Sequence, residues 1–282
     1  MKRLLPHKNI LGESPLWDEI TSTFWWVDIK ASQIHEYRNG EHIVHPCSFR
    51  PSALGLCTDS TLIVAAEQRI LLLNPHTNEQ QLICKLPEPV TNRTNDGKVG
   101  PDGAFWLGTM DDSEQHKTGS VYSFHPKHGL KKHLDGIGIS NTFAWSPDAS
   151  TFYCADSMEQ TIWAFDFDMH SRELKSRRVF VSLKGSGFYP DGSAVDEHGC
   201  LWNAQWGGSR VVQYSANGHP LKTLTVPTSQ PTSCAFVDTS LYVTTASIGL
   251  QTSDLYAGNL FSSPVAVCGT DILRYPKSSS LN

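Results

Sequence analysis

Short runs of apolar residues recur along the whole chain, and each run ends in an acidic residue or a Gly/Pro turn. The first residues of six such runs lie between 38 and 50 positions apart, and helical periodicity is absent over any useful length. The six runs are SPLWDE from Ser14, SALGLCTDS from Ser52, NDGKVGPDG from Asn95, NTFAWSPDA from Asn141, DGSAVDEHG from Asp191 and TSCAFVDT from Thr232. Such a period is typical of propeller repeats.

A second segment rich in aromatic and β-branched residues follows each run, as in TFWWVDI, and most repeats add a third, as in QIHEYRNG. Short strands separated by turns indicate antiparallel sheet. We therefore predict an all-β protein, a six-bladed β-propeller of four-stranded antiparallel sheets, with residues 1–282 in a single domain. Residues before Glu13 are expected to complete the last blade. A β-sandwich or two smaller barrels is the alternative.

Composition excludes several classes of partner. The formal net charge is -5 and no Lys/Arg cluster occurs, so nucleic acid is not an expected partner. The apolar run at the N-terminus stops at Pro6, and no later stretch is long enough to cross a membrane, so we expect a soluble, cytoplasmic protein with no membrane contact. Seven cysteines without a C-x-x-C pair favour reduced thiols. A monomer or a small homo-oligomer is expected.

The first strand of each propeller blade lines the central channel, so the starts of the six runs should form one ring. The ring positions are Glu13, Ser52, Asn95, Asn141, Asp191 and Ser233. Two carboxylates that converge on one cavity require a compensating charge, which a divalent cation would supply. The alternative is that these Asn and Asp residues are ordinary turn residues.

The predicted ligands of this cation are Glu13, Asn141 and Asp191, which all offer oxygen. Oxygen donors suit Ca²⁺, Mg²⁺ or Mn²⁺, whereas the lack of His and Cys disfavours tightly held Zn²⁺; Fe²⁺ stays open. Three protein ligands leave positions for water and substrate, as at catalytic sites.

Other polar and aromatic candidates receive simpler interpretations. The H-x-x-H pairs, His42 with His45 and His125 with His128, are expected to be solvated histidines without a third ligand, and Asp111 and Asp112 are expected in a solvated loop. Four tryptophans in second strands are expected in the blade cores. They are Trp25, Trp26, Trp106 and Trp202. Trp206, beside two glycines, is expected to flank a ligand.

Five stretches together resemble the senescence marker protein/gluconolactonase family of sugar lactonases. They are GESPLW at 12–17, NDGKVGPDGAFWLGTM at 95–110, ISNTFAWSPD at 139–148, YPDGSAVDEHGCLWNAQWGGSRVVQY at 189–214 and LYVTTAS at 241–247. The resemblance implies a six-bladed propeller with one divalent metal on Glu13, Asn141 and Asp191. It also implies that Arg93 and Asn95, in the R-x-N-D-G motif, contact the substrate.

The position of a second family glutamate, a few residues after GTM, corresponds here to Ser113, with Asp111, Asp112 and Glu114 nearby. This departure leaves the preferred sugar open.

The function implied is metal-dependent hydrolysis of an aldonolactone, such as gluconolactone, galactonolactone or a pentonolactone, by a metal-activated water in the channel. The resemblance makes Asp191 the candidate general base. No G-x-S-x-G elbow occurs, which disfavours covalent catalysis. The alternatives are a metal-dependent phosphotriesterase-like hydrolase and a calcium-binding module without turnover.

Overall fold

A computed structural model describes residues 1–276, and every regular element in this range is a β-strand. In chain order the strands are β1 (Lys2–Leu5), β2 (Gly12–Asp18), β3 (Thr23–Asp28), β4 (Gln33–Arg38), β5 (Glu41–Pro46), β6 (Pro51–Cys57), β7 (Leu62–Ala66), β8 (Arg69–Leu73), β9 (Gln80–Lys85), β10 (Asn92–Val99), β11 (Phe105–Asp111), β12 (Gly119–His125), β13 (Gly129–Ile137), β14 (Ser140–Trp145), β15 (Thr151–Asp156), β16 (Thr161–Asp168), β17 (Glu173–Ser182), β18 (Tyr189–Val195), β19 (Leu201–Trp206), β20 (Arg210–Tyr214), β21 (Pro220–Thr225), β22 (Pro231–Val237), β23 (Ser240–Thr245), β24 (Leu260–Pro264) and β25 (Arg274–Tyr275).

Six small sheets form a six-bladed β-propeller, which confirms the predicted fold class. Blades one, three, four and five are meanders of four consecutive strands that begin with β2, β10, β14 and β18. Blade two adds a fifth strand, because β25 pairs in parallel with β6 through Arg274 opposite Leu56 and Tyr275 opposite Cys57. A two-residue strand carries too little pattern to be predicted from sequence.

The N-terminus closes the ring, as expected. Strand β1 pairs antiparallel with β24 and completes blade six, whose other strands are β22 and β23. Asn9, directly before blade one, then donates through Nδ2 to the Gly258 carbonyl at 2.6 Å and accepts from Trp26 Nε1 at 3.0 Å. These bonds tie the two ends of the ring together.

Apolar side chains fill the space between neighbouring blades. Val27, Leu54 and Val64, for example, belong to one buried cluster that joins blades one and two. Second strands lie inside the blades, and every residue of β3 and β7, for example, is buried. The four tryptophans predicted for the cores are all buried, at Trp25, Trp26, Trp106 and Trp202.

Each innermost strand carries an irregularity at the same phase of the repeat. The pairing register with the second strand shifts between Glu13 and Leu16 in β2 and between Asn141 and Ala144 in β14. Equivalent shifts occur in β6, β10, β18 and β22. A bulge bends a strand and redirects its side chains. These six bulges surround one mouth of the channel.

No disulfide bond joins cysteines within residues 1–276, in agreement with the expected reduced thiols. The described part of the chain contains no helix long and apolar enough to span a membrane.

Candidate functional site

A cavity of about 610 Å³ opens at the starting ends of the innermost strands. Its walls come from blades one, three, four, five and six. The lining residues are Leu11, Glu13, Lys30, Arg93, Asn95, Met110, Glu114, Ile139, Asn141, Ser157, Met158, Tyr189, Asp191, Trp206 and Ile248. All five residues predicted to bind metal or substrate therefore lie in one cavity, as does Trp206.

Two members of the predicted ring, Ser52 and Ser233, do not line this cavity. The Ser52 hydroxyl donates to Thr94 Oγ1 at 2.7 Å inside the packing of adjacent inner strands. Ser233 lies so close to Gly192 that a Cβ added to the glycine would be 2.0 Å from the serine oxygen. The ring prediction is wrong at these two positions because small side chains there let neighbouring strands approach closely.

Glu13 and Asp191 place two buried carboxylates at the cavity. Burial raises the pKa of Glu13 well above its usual range, and the charges of Asp191 and Asp96 add to the rise. Burial likewise raises the pKa of Asp191, with a further contribution from Asp96. No Lys, Arg or His within residues 1–276 forms an ion pair with either carboxylate. The positive charge of Arg93 lowers the pKa of Glu13 only in part, so a divalent cation would be the group that favours the ionised form of both carboxylates.

Hydrogen bonds fix the orientation of Asn141. Its Nδ2 donates to Ser157 Oγ at 2.8 Å, and its Oδ1 accepts from Asn95 Nδ2 at 3.1 Å. A carbonyl oxygen has two lone pairs, so one stays available for a cation. With Glu13 and Asp191, the cavity offers the oxygen donors that hard divalent cations prefer.

Arg93 is buried and is held at two atoms. Its Nε donates to Asp112 Oδ1 at 2.9 Å, and its Nη1 donates to Asn95 Oδ1 at 2.8 Å. Arg50 holds the same carboxylate, with Nη2 2.9 Å from Asp112 Oδ2. Burial lowers the pKa of Arg93, although a guanidinium stays charged in proteins. This series of hydrogen bonds, which runs from Arg50 through Asp112 and Arg93 to Asn95, orients the N–H donors of Arg93 and Asn95 toward the cavity.

Asp111 and Asp112, at the end of β11, do not lie in the solvated loop that was expected. Asp111 is buried and accepts from the Ser113 hydroxyl at 2.6 Å and from the backbone N–H groups of Gln115 and His116 at 3.1 Å. Asp112 is ion-paired to Arg93, so neither aspartate is simply solvated. Ser113 points at Asp111, and Glu114 instead lines the cavity. Glu114 has φ 59°, and this left-handed turn could not be predicted from sequence.

Asp96 and Lys98 lie one and three positions beyond Asn95 on β10. Burial raises the pKa of Asp96 to about 6, against the opposing charge of Lys98 and hydrogen bonds from the N–H groups of Gly97, Thr142 and Phe143. Lys98 Nζ donates to the Ser193 carbonyl at 3.1 Å. Asp96 therefore ties the bulge of β10 to the bulge of β14, close to the site.

Sequence reasoning missed Lys30, Tyr189 and Met158, which all line the cavity. Lys30 and Met158 follow second strands, and Tyr189 begins β18. The loop after each second strand returns to the same channel mouth as the start of the first strand. Their position in such loops could have marked Lys30 and Met158 as cavity residues.

The expectation of solvated histidines at 42 and 45 is wrong. His42 Nε2 lies 3.0 Å from His35 Nδ1, and the His42 ring stacks on Trp26 with ring centroids 5.2 Å apart. His45 Nε2 lies 3.0 Å from Glu36 Oε2. His125 is also buried and packs against His128. For His42 and His45 the partners lie seven and nine residues earlier, on the paired strand β4, and the sequence does not reveal this strand register.

Comparison with known proteins places these features in a family. The sequence profile of the family described as "SMP-30/Gluconolactonase/LRE-like region" matches residues 11–247. Human regucalcin is 30% identical over 275 residues, which cover 92% of each chain. A Rhizobium meliloti (strain 1021) protein named "Putative sugar lactone lactonase" is 31% identical over 269 residues, 92% of this chain and 91% of that protein.

A solved structure extends the comparison to three dimensions. Regucalcin from Agrobacterium tumefaciens str. C58, described as a calcium-binding protein, superposes with a TM-score of 0.93 at 30% identity. The superposition covers 97% of this chain and 96% of that one. The similarity therefore includes the whole propeller.

Proposed function

The chain belongs to the SMP-30/gluconolactonase/LRE-like family, and we propose that it hydrolyses a sugar lactone to the open aldonic acid with a divalent cation bound in the cavity. The observation that carries the proposal is the pairing of two buried carboxylates without a direct ion-pair partner, Glu13 and Asp191, with the fixed donors of Arg93 and Asn95. The name of the Rhizobium meliloti relative supports the reaction class, and the description of the Agrobacterium tumefaciens protein supports a bound cation.

Glu13, Asn141 and Asp191 would hold the cation. Each is buried, each lines the cavity, and each offers an oxygen. A bound cation supplies Lewis acidity toward the lactone carbonyl and lowers the pKa of a water molecule. The all-oxygen set favours Ca²⁺, Mg²⁺ or Mn²⁺ over Zn²⁺, with Fe²⁺ also allowed.

Asp191 would accept a proton from the attacking water. Its position is well defined, because its backbone carbonyl accepts from Thr142 Oγ1 at 2.5 Å and from Asn203 Nδ2 at 3.0 Å. Contact with the cation would lower the proton affinity of Asp191, whereas burial and the charge of Asp96 raise its pKa and so favour proton uptake. The water oxygen forms a bond to the lactone carbonyl carbon, the ring C–O bond breaks, and the leaving alkoxide oxygen takes the proton from Asp191 and becomes a hydroxyl.

Arg93, Asn95 and Glu114 would bind the sugar hydroxyls. The planar donors of Arg93 and the amide of Asn95 suit hydroxyl and ring oxygens, and Glu114 would accept from a hydroxyl. Tyr189 and Trp206 provide aromatic walls for the apolar face of the ring. These polar side chains favour a hydroxylated sugar ring over an apolar phosphotriester. Phosphotriester hydrolysis is therefore the second candidate reaction. A calcium-binding module without turnover is the third candidate.

Asp191→Asn tests the proposal, since it removes the charge and basicity but keeps the shape. We expect turnover of aldonolactones to fall by at least about 100-fold, as for loss of a positioned general base. Asp148→Asn, in an exposed turn outside the cavity, is the matched control. Circular dichroism and calorimetric unfolding establish that both variants fold. Wild-type activity in Asp191→Asn would contradict the assigned role.

A further inference from the structure

Three side chains from two neighbouring blades bring metal-binding atoms together outside the cavity. Glu36 lies on β4 and His45 on β5, where they are diagonal neighbours because Ile34 pairs with His45. His76 comes from the turn between β8 and β9 of blade two. One ligand atom from each residue lies within 4.8 Å of the other two, which no other trio of His, Cys, Asp or Glu within residues 1–276 achieves.

Two of the three distances between these ligand atoms can be compared with the ligand separation at a tetrahedral metal site. Glu36 Oε2 lies 3.0 Å from His45 Nε2 and 3.8 Å from His76 Nδ1. Zinc bonds near 2.0–2.1 Å at tetrahedral angles separate neighbouring ligand atoms by about 3.3 Å. The two observed distances lie on either side of that value, and the third separation, between the two histidines, is below 4.8 Å.

The surroundings support a preformed site with one open side. The Glu36 side chain is 5% exposed and that of His45 13%, whereas His76 is 57% exposed. The ring of Trp25 forms a wall, with its centroid 5.9 Å from His45 and 6.2 Å from His76. The N–H of His76 donates to Asn74 Oδ1 at 3.0 Å, which shapes the turn that presents the ring. A cation could therefore enter from solvent and keep a water ligand.

We propose that Glu36, His45 and His76 form a second cation site, specific for zinc-class divalent ions. Two imidazoles and one carboxylate suit Zn²⁺, Co²⁺, Ni²⁺ or Cu²⁺, whereas Ca²⁺ and Mg²⁺ prefer oxygen ligands throughout. This donor set differs from the all-oxygen set of Glu13, Asn141 and Asp191. The bound ion links the outer part of blade one to blade two and stabilises the folded state by mass action.

The test is calorimetric titration of the full chain with Zn²⁺, combined with thermal unfolding with and without the ion. His76→Ala is the first variant, because an exposed turn side chain can be removed without disturbing the core. We expect loss of one zinc equivalent, or at least about a tenfold weaker affinity, by comparison with the 10–100-fold losses on removal of outer-shell partners. The zinc-induced rise in Tm should shrink accordingly. His45→Ala should behave in the same way.

His170→Ala, an exposed histidine in the β16–β17 turn, is the matched control and should titrate like the wild type. Equal zinc stoichiometry and affinity in wild type, His76→Ala and His45→Ala would overturn the proposal. So would full displacement of the zinc by Ca²⁺, because hard cations should not compete at imidazoles. Lactone hydrolysis measured in parallel keeps this question separate from the proposed reaction, since His76 lies outside the cavity.

Discussion

At the scale of single residues, hydrogen bonds decide which atom of each side chain faces the cavity. Arg93 donates to Asn95 Oδ1, which leaves Asn95 Nδ2 to donate to Asn141 Oδ1 and to the Ser140 carbonyl. Asn141 is held from the other side by Ser157. The substrate-facing and cation-facing groups are therefore one connected network, and a change at Arg93 should affect all of it.

Arg93→Lys should impair catalysis without unfolding the protein. A lysine cannot reproduce the two bonds to Asp112 and Asn95, because its ammonium is a single point donor. Loss of a charged hydrogen bond, about 1.5–3 kcal/mol, corresponds to a decrease of roughly ten- to hundredfold in kcat/KM. Steady-state kinetics with an aldonolactone measures this.

Arg50→Lys is the matched control, since Arg50 shares Asp112 but does not line the cavity. Its effect should be several-fold smaller. Equal losses in the two variants would show that Asp112, rather than contact with the substrate, explains the role of Arg93.

The sequence predicts the site residues that lie on the inner strands, because these strands repeat with one period. It does not predict the site residues whose position depends on the conformation of a loop. Glu13 and Asn141 are the last paired residues before the bulges of β2 and β14, and Asp191 lies one residue further along, inside the bulge of β18. Repeat phase therefore located this mouth of the channel to within one residue. Glu114 reaches the cavity through a turn with φ 59° after a strand, and no periodic signal marks it. Its neighbour Ser113, which corresponds to the second family glutamate, donates its hydroxyl to Asp111 instead.

At the scale of the element, the bulges of the inner strands turn side chains toward the channel. Thr142 follows Asn141 with φ 58°, a conformation that β-branched residues rarely adopt. Its hydroxyl compensates by contacts with the Asp191 carbonyl at 2.5 Å and Ser193 Oγ at 3.0 Å. The bulge of blade four is thereby bonded to the bulge of blade five. These bulges were not predictable, since a strand pattern does not reveal an extra residue.

Thr142→Val should damage this element, because it keeps the shape but removes the hydroxyl. The buried groups that contact the hydroxyl lose a partner, at a cost of about 1–3 kcal/mol of unfolding free energy. We expect a lower Tm and weaker binding of the cavity cation. Thr142→Ser retains the hydroxyl and should recover most of both properties. Identical behaviour of the valine and serine variants in unfolding and cation titrations would contradict this account.

At the scale of the whole molecule, the ring closes beside a cluster of three histidines. His35 stacks on Trp26 with ring centroids 4.8 Å apart, and the rings of His7 and His42 are 4.8 and 5.2 Å from that of His35. Burial lowers the pKa of His35 to about 3, with added repulsion from His7 and His42. Burial also lowers the pKa of His42 to about 4.

Acid should therefore weaken the closure. The folded-state pKa of His35 lies below its unfolded value, so the unfolded chain binds the proton first as the pH falls. The contribution of His35 to stability should be constant above about pH 6.5 and decrease from there toward pH 3, by roughly 2 kcal/mol at pH 5. Chemical unfolding measured across this range gives the slope.

His35→Gln should lower stability at neutral pH through lost stacking but flatten its decrease below pH 6.5. His170→Gln, in an exposed turn, is the control and should leave the slope unchanged. An unchanged slope in His35→Gln would show that other groups account for the acid sensitivity.

The architecture was the most predictable level. Six runs with one period fix the number of blades, and the N-terminal segment had to complete the last one. The parallel strand β25 was not predicted, because two residues carry no period. The contacts of Glu36, His45 and His76 also lay beyond prediction, since they join strands of one blade to a turn of the next.

Cation-dependent lactone hydrolysis is tested by the rate of proton release from a panel of aldonolactones by chelated protein, before and after addition of single cations. Glucono-, galactono-, arabino- and xylonolactone would each be tested with Ca²⁺, Mg²⁺, Mn²⁺, Zn²⁺ and Fe²⁺. We expect chelation to abolish hydrolysis of at least one lactone and an oxygen-preferring ion to restore it. Full activity after complete chelation, or no activity on any lactone from folded, cation-bound protein, would contradict this expectation.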